Sequence, residues 1–341
     1  MQLRLTKLTQ LHGCSCKLRQ KDLWELLSGI ECSGSNILFG IGDDAGAIKV
    51  QKGVAYVTHL DFFTPILDDP FTYGKIAACN AASDVFAKGA IENLGILTIM
   101  GFPAHFPLKI IRKILRGVCD FCKDVGAVVL GGHTIVNPWP IVGAAVTATA
   151  APERLIRNST ACQGDVLVLT KPLGVQPVMA ALRTPRRYLV KTISYEKLKK
   201  VTDLAVKSML MPNLKAAECL LEVAVHAATD VTGFGILGQA RTMAKSSNVN
   251  IEIHTLPVFE GALELSNLLG YGLADGRSAE TSGGLLISVS SQQQTNLLES
   301  LRRKHVPAYV VGEVKRGNGK AYLRKNPEIT IVRDLNSDLS T

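Results

Sequence analysis

The chain has 341 residues, 47% hydrophobic and 20% charged, with 30 Gly and 14 Pro, a length and composition that exclude a disulfide-stapled minidomain and leave disorder only the ends. Two domains with separate cores are expected. Thirty-eight Lys and Arg against 29 Asp and Glu give a net charge of +9, which suits a polyanionic partner such as nucleic acid, an anionic membrane or ATP without choosing among them.

In chain order, a short helix is expected over Gln20 to Leu27, then a turn-rich stretch, Ser28 to Asn36, leading into ILFGIGDDAGAIKV. Val54 to Thr58 reads as a strand ending just before Asp61. Asp69 and Pro70 predict a capped helix start, with helix from Phe71 to Lys88 and a stop at Gly89. Asn80 and Asp84, four apart, share one face of that helix. Asn93 to Met100 reads as a strand and Leu108 to Val125 as an amphipathic helix with a solvated basic row at Lys109, Arg112, Lys113 and Arg116. AVVLGGHTI reads as strand followed by a tight glycine turn, and PIVGAAVTATA as another strand.

The polar segment 158–164 sets a boundary near residue 160. Beyond it, VLVLTKPLG starts a strand. Helices follow at Tyr195 to Met211 and Asn213 to Ala228, strands near Val249 to His254 and Gly284 to Val289, a helix from Gln292 to His305 and a strand at Tyr309 to Val314. The alternation indicates a mixed α/β (α+β) architecture of two domains, over 19–158 and 164–341, preceded by a segment over 1–18. No run approaches eighteen apolar residues and the start lacks a signal-peptide core, so a soluble, cytoplasmic protein without a membrane partner is expected.

Asp43, Asp44, Asp61, Asp84 and Asp230 sit beside apolar or glycine-rich sequence, where an unpaired charge is costly. Several such carboxylates together require a cation. Mg2+, the oxygen-loving ion that bridges carboxylates to phosphates, fits that role, so an Mg-nucleotide site is expected. Neither GxxxxGK[ST] nor a credible dinucleotide fingerprint is present, and the glycines of GGHTI and TGFG are candidates for close backbone approach to phosphate. In HGCSCK an extended backbone would put Cys14 and Cys16 on one face, with Lys17 favouring a thiolate or meeting phosphate and His12 assisting.

The eight cysteines, at 14, 16, 32, 79, 119, 122, 162 and 219, are scattered as in a reducing compartment. Cys119 and Cys122 read as helix packing, since no second CxxC completes four thiolates. His133 is either a turn hydrogen-bonder or a ligand contact; His226 and His254 read as structural. Trp24 and Trp139 are too isolated for a base-stacking platform, so no stable nucleic-acid complex is expected. Three other readings are a different ATP-dependent enzyme acting on a phosphate or amine, a non-catalytic RNA- or protein-binding module using the +9 surface, and a metal-storage protein.

HGCSCK, GIGDDAG, LDFFTPILDDPFTYGKIAACNAASDVFAKGA, VLGGHTI, PERLIRN, GDVLVLTKPLG, HAATDVTGFGILGQA, ETSGGLLISV and VGEV together make the chain resemble the selenophosphate synthetases (selenide, water dikinases), within the superfamily of aminoimidazole ribonucleotide synthetase. The resemblance implies a mobile catalytic arm over 1–18, an ATP- and Mg-binding N-terminal domain over 19–158, and a two-domain fold whose N-terminal halves form a β-barrel across a homodimer. It implies conversion of ATP, selenide and water to selenophosphate, AMP and orthophosphate, with Mg2+ and a K+ requirement. By position it implies Cys14 and Lys17 as catalytic, Cys16 as an accessory thiol and Asp44, Asp61, Asp84 and Asp230 as magnesium ligands. The same resemblance makes Asn80 and Gly131, Gly132, His133 and Thr134 nucleotide contacts beside Lys17, Asp61 and Asp84. A selenium-delivery protein and selenocysteine or selenouridine synthesis enzymes are the implied partners. The chain departs from the family at His59 and Leu60, where two threonines are common, and at Ala90 and Gln176.

Overall fold

The computed structural model describes residues 3–30 and 33–335, so Cys32 lies outside the described residues. The first half carries α1 (Gln20–Leu26), β1 (Ile37–Phe39), β2 (Gly46–Gln51), β3 (Val54–Phe63), α2 (Pro70–Ala87), β4 (Glu92–Phe102), α3 (Leu108–Val125), β5 (Val128–Val136) and β6 (Ile141–Ala150). Its sheet runs β1-β2-β3-β6-β4-β5, with α2 and α3 packed together and α2 against β3 and β6. Asp69 caps α2 as expected, accepting from the Thr72 amide at 2.8 Å, and Gly89 (φ 70°) follows its end.

The second half carries β7 (Asp165–Leu169), α4 (Val175–Ala181), α5 (Tyr195–Leu210), α6 (Leu214–Glu222), β8 (Val225–Asp230), α7 (Gly235–Ser247), β9 (Asn250–Phe259), α8 (Ala262–Leu269), β10 (Leu285–Ser290), α9 (Gln294–Arg303), β11 (Tyr309–Lys315) and β12 (Ala321–Val332). Its six strands run β12-β9-β11-β7-β10-β8. One apolar cluster joins the halves, from Phe63, Tyr73 and Ile114 to Leu167, Met209 and Ile251. Side chains contributed by both halves are therefore held on a shared core. Cys122 is buried in that first half, as the packing reading expected.

Three elements differ from expectation, and each bears on the site. β3 continues through Asp61 to Phe63, because His59 to Phe63 pair with β6. The helix read over Asn213 to Ala228 stops at Glu222, and VHAATD becomes β8, with Val225 to Asp230 paired along β10. Gly131 to Thr134 form no turn: they lie within β5, in parallel register with Leu97 to Met100 of β4. Glycine there follows from pairing space, not from a bend. No described helix is long and apolar enough to cross a membrane.

Candidate active site

Alternation along β3 puts Ala55, Val57, His59, Asp61 and Phe63 on the face covered by α2. One helical turn apart on α2, Asn80 and Asp84 meet that face. Asn80 Nδ2 donates to Asp61 Oδ2 at 2.7 Å and Lys17 Nζ donates to the same oxygen at 2.8 Å. Both bonds end on Oδ2, which leaves Oδ1 for a cation. Asp84 Oδ2 lies 2.9 Å from His59 Nε2. Ligand atoms of His59, Asp61 and Asp84 all fall within 4.8 Å of one another.

Asp44 comes from the loop between β1 and β2. Its Oδ1 accepts from Thr229 Oγ1 at 2.8 Å and its Oδ2 lies 2.7 Å from Lys88 Nζ, at the C-terminal end of α2. Thr229 precedes Asp230 on β8, so the second half delivers a fourth acid within electrostatic reach of Asp84 and Asp44. Asp230 is fully buried and its Oδ2 has no hydrogen-bond partner. Burial, then the negative charges of Asp84 and Asp44, push its carboxyl well above the usual range. Asp44 is raised by burial despite Lys88, whereas Asp84 is lowered because His59, Lys17 and Lys88 outweigh its burial.

These donors fit a hard divalent cation: carboxylate oxygens from four chain segments, an unpartnered buried oxygen, and repulsion that only added positive charge relieves. His59 stands beside them as the ion-pair partner of Asp84. Burial opposes its charge, but Asp84 pushes it up to about 9. A histidine raised in the folded state stabilises fully below its unfolded value near 6.5, and that contribution is lost as pH rises through about 9. In Mg2+-free buffer the pH-dependent part of the stability gap between wild type and His59→Gln is therefore at most roughly 3 kcal/mol, fully present below pH 6.5 and lost as pH rises through about 9, as denaturant unfolding at a series of pH values will read.

Lys88 is a site residue that the sequence reading treated only as a helix end. Fully buried, its ammonium donates to Asp43 Oδ1 at 2.6 Å and to the Ala228 carbonyl at 2.9 Å besides meeting Asp44. Lys88→Met leaves two carboxylates without their cation, and the expected cost is about 3–5 kcal/mol by urea unfolding. An apolar stretch ending in a lysine, DVFAKGA, was the available signal.

The arm is docked in this structure. Gly13, at φ 59°, turns the chain so that its amide bonds the Thr64 carbonyl, and Cys14 to Cys16 form a 3₁₀ turn rather than the extended pair expected. The two sulfurs consequently diverge. Cys14 is buried, with Sγ 3.2 Å from Asn80 Oδ1 and its amide donating to Thr281 Oγ1 at 3.0 Å. Cys16 lines a cavity of about 650 Å³ with Phe62, Phe63 and Trp139. His12 turns away to the Thr6 carbonyl at 2.9 Å and does not reach the site.

Lys17 does not make Cys14 a thiolate here. Burial pushes the Cys14 thiol well up, more than Lys17 lowers it, so the S–H donates to Asn80. Lys17 itself stays charged against burial because the Asp61 carboxylate, which it bonds, and Asp84 lie beside it. Gly233 makes the docking fit, since a Cβ there would come 2.9 Å from the Cys14 carbonyl and from Lys17 Cδ. Gln176 ties the arm from the second half, donating to the His12 carbonyl and to Ser15 Oγ, each at 3.0 Å. The Ser282 amide donates to Asn80 Oδ1 at 2.8 Å, and Lys171 holds the Ser282 carbonyl at 2.9 Å. Thr281, Ser282 and Lys171 escaped the sequence reading, although ETSGG and TKPLG stand out as motifs.

Beside Asp44 and His59 opens a cavity of about 850 Å³ with Ile37, Phe39, Ala45 and Tyr56 on its walls. Gly131, Gly132, His133 and Thr134 are not part of it. They lie on the exposed edge strand β5, three strand positions from β3, about 14 Å away.

A family model described as AIR synthase related protein, N-terminal domain, matches residues 42–150, and its C-terminal counterpart matches residues 163–324. The crystal structure of tt0281 from Thermus thermophilus superposes with a TM-score of 0.71 at 22% identity, covering 92% of this chain and 98% of that one. The hydrogenase maturation protein HypE, solved in complex with ATP, gives a TM-score of 0.64 at 17% identity over 82% of this chain and 84% of that one. Fold and paired domains thus define an AIR synthase-related protein. The selenide, water dikinase of Methanocaldococcus jannaschii is 42% identical over 340 residues, 96% of this chain and 97% of that protein. The chain belongs to the selenide, water dikinase family, a family of kinase-type enzymes, and its activity is selenophosphate synthesis.

Proposed function

We propose that this chain transfers the γ-phosphoryl group of ATP to hydrogen selenide and hydrolyses the remaining diphosphate, so that ATP, selenide and water become selenophosphate, AMP and orthophosphate. The observation that carries the reading is the link from Cys14 through Asn80 to Asp61 and Lys17, which seats a thiol and an ammonium directly over a four-carboxylate cluster. Mg2+, when bound by Asp44, Asp61, Asp84 and Asp230, offsets the triphosphate charge; K+ completes the cations of this proposal. Lys17 adds a further positive charge where the γ phosphate lies. Hydrogen selenide needs little deprotonation, so orientation and charge stabilisation govern the rate more than a strong base.

ATP fits the cavity beside Asp44 and His59, its base against the apolar wall and its phosphates toward the acids. Residues 1–18 act as an arm that must lift to admit nucleotide and redock to exclude water, over an N-terminal unit of 19–158 and a second of 164–341. A homodimer accounts for the apolar side chains left exposed on the first sheet, Tyr56, Leu60, Phe62, Leu97, Leu130 and Ile135. Its seam would include β5 and with it Gly131 to Thr134. The test is an anaerobic assay with ATP, selenide and Mg2+ that follows selenophosphate, AMP and orthophosphate together. Equal amounts of the three are expected; ADP as the final nucleotide would overturn the two-step reaction.

A further inference from the structure

A second group of ligand-bearing side chains lies at the far end of the C-terminal sheet. Strands β7 and β8 both pair antiparallel with β10 and so run parallel to each other. Asp165 opens β7 and His226 stands near the start of β8, whereas Asp230 closes β8. His226 and Asp230 are four strand positions apart, about 13 Å. The two sites therefore sit at opposite ends of one strand.

Cys162 Sγ, a carboxylate oxygen of Asp165 and a ring nitrogen of His226 lie within 4.8 Å of one another. His226 Nδ1 is 2.8 Å from Asp165 Oδ1. Asp165 is almost fully buried, and its Oδ2 accepts from Ser288 Oγ at 2.6 Å and from the Cys162 amide at 2.9 Å. His226 Nδ1 also lies 2.9 Å from Oδ2, so the imidazole straddles both carboxylate oxygens, and the Ser288 and Cys162 bonds to Oδ2 orient the carboxylate toward it. The His226 carbonyl accepts from Thr160 Oγ1 at 2.5 Å, which fixes the segment before Cys162 against β8. Cys162 itself is exposed, and a cavity of about 490 Å³ bordered by Thr160, His226, Arg154 and Arg157 gives a path from solvent.

We propose that Cys162, Asp165 and His226 form a binding site for a borderline-soft divalent cation, Zn2+ foremost. Thiolate, imidazole and carboxylate are the three donor types zinc takes, and three protein ligands leave the fourth position to water on the exposed side. In the metal-free chain His226 Nδ1 and the Asp165 carboxylate face each other where the cation would sit, and binding would displace the Cys162 thiol proton to solvent. The bound ion would staple the interdomain segment to the second sheet. That segment also touches the catalytic loop, where the Asn158 amide donates to Asp43 Oδ2 at 3.2 Å and Asn158 Nδ2 to the Gly42 carbonyl at 3.1 Å.

The test is equilibrium dialysis of the full chain against buffered free Zn2+ in excess Mg2+, with bound metal counted for wild type, C162S, H226Q and C14S. One zinc equivalent should disappear in C162S and H226Q and persist in C14S, with affinity at that site weakened on the order of 100-fold. Co2+ substituted for zinc should show a thiolate charge-transfer band lost in C162S and kept in C14S. Since Cys162 is exposed, C162S does not depend on the folding of a buried-site variant. Zinc stoichiometry and cobalt spectrum unchanged in C162S would overturn the proposal, as would a band abolished by C14S alone.

Discussion

Asp61→Asn lowers selenide-dependent AMP formation by about 10²- to 10³-fold, the range seen when one preorganised charge-stabilising group is removed, and raises the Mg2+ concentration needed for half-maximal rate. Asparagine is isosteric, and its carbonyl can still accept from Asn80, so the fold should persist. What disappears is the charge that Lys17 meets at 2.8 Å and that a cation would share through Oδ1. Because Lys17 and Asp61 bond directly, their effects should not add. The double variant Lys17→Ala with Asp61→Asn is expected to be little worse than the more damaged single one. Unchanged turnover and unchanged Mg2+ dependence in Asp61→Asn would remove Asp61 from the cation set.

Much of the site was legible because buried charge is informative wherever it occurs. Acids beside GIG, inside THLDFF, within an apolar helix and ahead of TGFG marked out the carboxylates that the fold gathers, and the i, i+4 spacing of Asn80 and Asp84 survived because α2 is long and well capped. Less local features stayed hidden. Period and length do not separate a helix from a strand in LEVAVHAATD; its pairing with β10 decides, and that partner lies some sixty residues away. GGHTI carries turn residues yet becomes an edge strand through register with β4. His59 stood out as a departure from the family, but only the approach of α2 to β3 makes it the ion-pair partner of Asp84. Lys88 and Cys162 likewise acquire meaning from residues more than forty and sixty positions distant.

Cys14→Ser is expected to reduce selenide-dependent AMP formation by about 10²- to 10⁴-fold, the span associated with loss of one positioned reacting group, while leaving Mg-ATP affinity within about twofold. The separation follows from what each atom touches. Serine Oγ can still donate to Asn80 Oδ1, and the backbone amide of residue 14 still reaches Thr281, so arm docking and the Asn80 to Asp61 bond remain. The soft, polarisable sulfur is what serine cannot replace, and in the proposed reaction selenide is its soft partner. Cys16→Ser is the internal control: its sulfur faces the cavity of Phe62 and Trp139, away from the acids, and its loss should be far milder. Burial also holds Cys14 as a neutral thiol in the docked arm, so a soluble alkylating reagent should modify exposed Cys162 well before Cys14. Full selenide-dependent AMP formation by Cys14→Ser would leave the docked thiol with no part in the chemistry, and equal losses in Cys14→Ser and Cys16→Ser would show that the divergence of the two sulfurs is irrelevant to it.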